Sequence, residues 1–322
     1  PDYLDPDSDG DGSPDAEEGT VDTDSDGIPD SIESGTADSD SDGISNEADP
    51  AGAEKDPHLH FARGGEADFR GRDGVFYNFF SAPGFTVNVK TEAATFRLHK
   101  ERKQDLIVDG SFITEVHVVA GGISLPAWAW ANASCWANQL DDHNTGWHVI
   151  NGTCASRPFQ LGTGGHKVCD DLDIKMKFSS AVFKYRDAWA IVVRGNYVFD
   201  RKSGPSHRLD LTFKQIGDAA ARSLPHGIIG QSFSTNGPRH GKRDVYPSSG
   251  RIATSAMAEG AIEGDAAMYE VARPYATEFA FSRFMSAAPA EEASPSGLLL
   301  PGEASSTARG GRFGESHSAG LL

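Results

Sequence analysis

His207-Arg208-Leu209-Asp210-Leu211-Thr212-Phe213 alternates polar and apolar side chains. Successive side chains of an extended chain point to opposite faces, so this stretch reads as a strand with one buried face. The same period of two recurs in Thr86-Val87-Asn88-Val89-Lys90, in Phe96-Arg97-Leu98-His99 and in Ile113-Thr114-Glu115-Val116-His117-Val118-Val119. Trp189-Ala190-Ile191-Val192-Val193, rich in β-branched residues, reads as a further strand. Gly and Pro punctuate the intervals between them. Only short helical stretches fit the pattern, at Gly217 to Ser223 and Ala256 to Ala261. Residues 55–285 are therefore expected to fold mainly as β, in an antiparallel β sandwich or open barrel.

The two flanks have a different texture. Of the 322 residues 38% are hydrophobic, glycine not counted, and part of the chain is expected to stay outside any core. The tail, residues 286–322, is rich in Ala, Gly, Ser and Pro, with Leu298-Leu299-Leu300 as its apolar run, and is expected to be disordered. The net charge of −18 sits at the other end: residues 1–56 hold 20 acidic side chains against Lys55, which leaves 27 acidic and 28 basic in the rest. Such a balance argues against nucleic acid as a partner, because binding it requires a basic surface that displaces counterions. No apolar run reaches the roughly 18 residues of a membrane-spanning helix. The chain starts at Pro1 without a signal-like stretch, which points to a fragment or a processed form.

The acidic segment, residues 1–54, is a repeat. Asp-x-Asp-x-Asp-Gly begins at Asp7, Asp22 and Asp38, a period of 15 and then 16 residues. Calcium takes six to eight oxygens, and carboxylates at loop positions 1, 3 and 5 converge only if the backbone turns sharply at position 6. Gly12, Gly27 and Gly43 occupy that position. The candidate ligands are Asp7, Asp9, Asp11, Asp15 and Glu18 in the first loop and Asp22, Asp24, Asp26, Asp30 and Glu33 in the second. Asp38, Asp40, Asp42, Asn46 and Asp49 form the third set. Three or more calcium ions are expected. The spacing leaves no room for the flanking helices of an EF-hand.

This pattern resembles thrombospondin type 3 repeats, which implies an extracellular stalk or spacer of acidic loops wrapped around calcium. The segment lacks the cysteines that many such repeats carry, so its order is expected to depend on metal alone. In the β region, Asp56-Pro57-His58 and Gly74-Val75-Phe76-Tyr77-Asn78-Phe79 resemble the opening of von Willebrand factor type D-like domains and of the related plant root-cap, or late-embryogenesis-like, domain. Gly227-Ile228-Ile229-Gly230-Gln231 resembles a turn near the end of such domains, and Tyr275-Ala276-Thr277-Glu278-Phe279-Ala280-Phe281-Ser282-Arg283-Phe284 resembles their closing segment, with Phe279 where that family has Cys. The resemblance implies a β-rich extracellular structural domain without established catalysis.

Residues 122–167 look like an inserted loop. They hold Trp128, Trp130, Trp136 and Trp147, four of the five tryptophans, with the glycosylation acceptors Asn132 and Asn151. The tryptophans are candidate contacts to glycans or extracellular proteins, or else caps on the open face of the sheet. Cys135, Cys154 and Cys169 leave two pairings open, Cys135–Cys154 and Cys154–Cys169. His58 and His60 share a face of an extended strand and with Asp56 form a candidate transition-metal group, or a set of local hydrogen bonds. No His-Glu-x-x-His or Gly-x-Ser-x-Gly motif is present, and Gly237 to Lys242 falls one residue short of a phosphate loop. The expectation is a non-catalytic, calcium-binding structural or adhesive glycoprotein, extracellular or at the cell surface. The alternative is a secreted, calcium-stabilised enzyme that binds a polysaccharide through the Trp-rich stretch.

Overall fold

A computed structural model describes residues 51–100, 104–122, 125–141, 147–216, 223–235 and 237–286. The calcium loops, the tail from residue 287 and the helical expectation over 217–222 lie outside the described residues.

Three short strands come first: β1 (Ala51–Glu54), β2 (His58–Phe61) and β3 (Gly65–Asp68). β4 (Phe76–Ala82) precedes a long hairpin of β5 (Phe85–Lys100) and β6 (Gln104–Ala120). β7 (Ala131–Trp136), β8 (Ile150–Cys154) and β9 (Arg157–Leu161) follow, then β10 (His166–Cys169), β11 (Leu172–Met176), β12 (Ser180–Tyr185) and β13 (Trp189–Tyr197). β14 (Arg201–Ser203), β15 (His207–Gln215), β16 (Gly250–Ala253) and β17 (Glu270–Val271) complete the order. One sheet runs β10-β11-β12-β13-β15-β1-β2-β3 and the other β17-β4-β5-β6-β7-β8-β9, with β14 beside β5 and β16 beside β6. Pairing is antiparallel except for β16, which runs parallel to β6.

The alternation that marks His207 to Phe213 as a strand is the alternation of burial along β15, where Leu209, Leu211 and Phe213 face the core. The inner faces of the two sheets meet through aromatic rings. Phe80 of β4 lies 4.7 Å from Trp189 of β13 and 5.7 Å from Phe213 of β15, centroid to centroid, and Phe85 of β5 stacks on Tyr185 of β12 at 4.8 Å. Burying each such ring stabilises the fold by about 1.5–3 kcal/mol. The result is the expected sandwich. Its first sheet begins at Ala51, inside the stretch assigned from sequence to the repeats, because β1 pairs with both β15 and β2.

Two expectations need correction. Residues 122–167 are not a loop laid over the domain: β7, β8 and β9 continue the second sheet outward from β6. Ala256 to Ala261 is not helical. The Phe69↔Met257 bridge and the Ala258 N–H bond to Asp68 O (2.9 Å) draw it against β3, and tertiary pairing overrides the helix preference of alanine.

Two of the motifs quoted above close the second sheet. A bulge in β4 falls between Asn78 and Phe80, and the Asn78 amide fills it by donating its two hydrogens to Thr86 Oγ1 (2.6 Å) and Asn88 Oδ1 (2.8 Å). The Gly227-Ile228-Ile229-Gly230-Gln231 turn docks there, with Ile228 N donating to Asn78 O and Ile229 N to Phe79 O. The segment from Pro274 to Phe284 straps the outer face of the same sheet. Asn88 donates to Pro274 O and Ala276 O, and the Tyr275 and Ser134 hydroxyls lie 2.6 Å apart.

Two candidate ligand-binding clefts

The four tryptophans do not converge. Trp128 is 67% exposed and stands on a short 3-10 turn over Ala127–Ala129. Trp130 is half-buried, with its indole N–H on Leu125 O and its ring 4.9 Å from Phe284. Trp136, half-buried at the end of β7, lines a cleft. Trp147 is only 3% exposed and packs in the core, away from any ligand at the surface. The candidate glycosylation residues Asn132 and Asn151, both half-buried, lie diagonally on neighbouring strands: Asn132 faces Thr153 and Ser134 faces Asn151 across β7 and β8. Asn132 Oδ1 accepts from Thr153 N at 3.2 Å. Cys154 pairs with Cys169, tying β8 of one sheet to β10 of the other, and Cys135 is buried as a free thiol.

The larger cleft, about 430 Å³, lies where the far half of the β5–β6 hairpin bends away at a bulge between Lys90 and Thr91. Its floor is a small second core of Phe96, Leu106, Phe112 and Val198. Its wall is an ion cluster that the sequence showed only in part. His58 Nδ1 lies 2.6 Å from Asp68 Oδ1 and Nε2 lies 3.3 Å from Asp56 Oδ1, while the Tyr246 hydroxyl donates to Asp56 Oδ2 at 2.6 Å. Asp68 also accepts from Asp244 N at 2.7 Å. Burial pulls the His58 pKa down, but hydrogen bonds to Asp56 and Asp68 outweigh it and raise the value to about 9. Burial pushes the Tyr246 phenol up, and the charge of Asp56 adds to that. Asp68 is favoured by burial in its neutral form, yet its bonds to His58 and Asp244 hold it below the usual carboxylate range.

At neutral pH the wall is thus an imidazolium held between two carboxylates and a phenol fixed as a donor. It can orient a ligand, but a group poised to exchange protons near pH 7, as acid–base catalysis wants, is not among these three shifted residues. His60, on the same face of β2, lies 3.8 Å from Glu54 instead of joining His58. Among the described residues no group of three or more His, Cys, Asp or Glu is placed to hold a metal ion.

The second cleft, about 290 Å³, lies beside Trp136 between the β5–β6 hairpin and the start of β15. Lys90 bridges two carboxylates at its rim, with Nζ 2.8 Å from both Glu92 and Glu115. Burial favours neutral Glu115, but hydrogen bonds from His117 and Lys90 prevail and lower its pKa to about 2. His207 at the edge is engaged on both ring nitrogens, by Ser206 Oγ and Asp141 O at 3.0 Å. Nothing in the local sequence pattern marks Thr114 or Glu92 as lining residues. Their polar side chains read as the solvent half of an alternating strand, and the register with β7 and the return of β15 turn that half into a cleft wall. No protein-family model and no curated protein matches the sequence.

Proposed function

We propose that the chain is a non-catalytic, extracellular or cell-surface structural or adhesive protein, in which calcium-binding acidic repeats space a β sandwich that contacts glycans or other extracellular proteins. The observation that carries this reading is the threefold Asp-x-Asp-x-Asp-Gly spacing, with Gly12, Gly27 and Gly43 at the required turn and oxygen-bearing residues at positions 9 and 12 of every loop. Its similarity to thrombospondin type 3 repeats points the same way. The inter-sheet Cys154–Cys169 bond supports an oxidising compartment.

The competing reading, an enzyme acting on polysaccharide, calls for one carboxyl protonated at working pH and another ionised across a gap. Glu92 and Glu115 do stand beside Trp136, but Lys90 ties them to each other and Glu115, at about 2, is not an acid at neutral pH. The test is to incubate the full chain with plant and microbial polysaccharides in millimolar calcium and measure both retention on the immobilised polymer and reducing ends released. Saturable retention, without new reducing ends, is the expected result. Sustained release of reducing ends that a Glu92→Gln substitution abolishes would establish the enzyme instead.

A further inference from the structure

We propose that the cleft beside Trp136 is a binding site for one ring of a neutral saccharide, with the Thr114 hydroxyl and the Glu92 and Glu115 carboxylates receiving sugar hydroxyls and the indole receiving the sugar's C–H face. This rests on the glycan-contacting reading of the β domain and gives it a location. The starting observation is Thr114. It is the extra residue of the bulge in β6: Glu115 pairs with Lys90 and Ile113 with Thr91, which leaves Thr114 without a partner in the ladder. A bulge re-aims one side chain, and bulges gather beside binding sites. Here the side chain lines the cleft. Thr114 is only 6% exposed, and its hydroxyl makes no hydrogen bond among the described residues. A buried hydroxyl without a partner is destabilising; its oxygen is shielded from solvent, and a turn of the side chain about χ1 would present it to a ligand in the cleft that Thr114 lines.

The surrounding groups select the ligand's chemistry. Glu115 spends one oxygen on Lys90 (2.8 Å) and the other on His117 (2.9 Å), which fixes the carboxylate in place while each oxygen keeps a further lone pair. A free cation is disfavoured because the Lys90 ammonium already stands between the two carboxylates and Arg201 also lines the cleft, and an anion is disfavoured by those carboxylates themselves. An apolar ligand would cover the remaining lone pairs of the carboxylates and leave Thr114 without a partner. A neutral polyol avoids all three penalties, and Asn138, exposed at the rim, adds both a donor and an acceptor. The half-buried indole of Trp136 supplies the one large apolar surface, and its ring is held edge-on by His117 at 6.0 Å. At about 290 Å³ the cleft is near the lower end of small-molecule sites, in keeping with one ring of a longer glycan.

The test uses the full chain in calcium buffer, titrated with glucose, galactose, mannose and N-acetylglucosamine, and followed by saturation-transfer NMR and tryptophan fluorescence. At least one of these sugars is expected to bind saturably. Thr114→Val, which keeps the shape but removes the hydroxyl, and Trp136→Ala should each weaken that binding by about ten-fold, the loss of one good contact. Thr114→Ser should retain it, and Trp128→Ala, which alters an exposed tryptophan outside this cleft, should leave it unchanged. Sugar binding that is lost in Trp128→Ala and kept in Thr114→Val would overturn the location while leaving a glycan-binding domain. No binding of any of the four sugars, in protein that still takes up calcium, would overturn the site and leave the calcium-repeat reading standing.

Discussion

At the scale of single residues, His58 is the most informative titratable group. Its folded pKa of about 9 lies above the ordinary 6.5, so its contribution to stability is fully present below about pH 6.5 and is lost as pH rises through 9. The shift corresponds to an order of 2–3 kcal/mol. Urea denaturation of the full chain is expected to show stability falling by that order between pH 6.5 and 9, with His58→Gln flattening the slope in this window. An unchanged slope in the variant would remove His58 as its source. Gly227 offers a test without charge. Its φ of +106° suits glycine, and an added Cβ would lie 2.6 Å from Phe79 O and 2.7 Å from Asn78 Oδ1. Gly227→Ala should cost about 3 kcal/mol, whereas Gly162→Ala, at a site with open space around it, should cost under about 1 kcal/mol. The sequence placed Asp56 and His58 together because they are neighbours. It carried no sign of Asp68 or of Tyr246, which is 190 residues from Asp56, because a local pattern reports burial period and not which distant side chains meet.

At the scale of elements, the strands that alternate cleanly, within β5, β6 and β15, were readable from period, and β13 from its run of β-branched residues. β7 to β9 were not, because Gly, Asn, Cys and Trp crowd the stretch and imitate a loop. What makes them strands is pairing outward from β6, a neighbour relation that no window of sequence displays. The same extension decides the cysteine pairing, since it carries Cys154 to within 5.6 Å of Cys169, Cα to Cα, and leaves Cys135 inside. Closing 15 residues of chain, the bond should stabilise the domain by about 3 kcal/mol. Reduction, or a Cys154→Ser and Cys169→Ser double variant, is expected to lower the melting temperature by about 5–10 °C. Burial also pushes the Cys135 thiol up. An Ellman titration of native, unreduced protein should therefore find almost no reactive thiol, and one per chain after denaturation; rapid labelling of the native protein would contradict the buried placement.

For the whole molecule, the β sandwich has its own continuous core of aromatic and aliphatic side chains drawn from both sheets. The acidic repeats contain few such residues, and their order is proposed to come from metal. The two parts should then respond separately to chelation: near-UV circular dichroism of the sandwich and its melting transition should persist in EDTA, while calcium alters the far-UV signal of the remainder. Loss of the sandwich's transition in EDTA would mean that its core requires the ion too. The fold class was legible because burial in a sandwich imposes a period of two over long distances. A ligand chemistry can be proposed from the sequence at the repeats, where the candidate ligands are local, but not at the clefts, which are assembled from strands far apart. The decisive measurement is a calorimetric calcium titration of the full chain beside a variant with Asp22→Asn, Asp24→Asn and Asp26→Asn. Three or more ions binding at about 10⁻⁴ to 10⁻³ M, with one or more lost in the variant, is the predicted result. No saturable heat, or the same stoichiometry in both proteins, would contradict it.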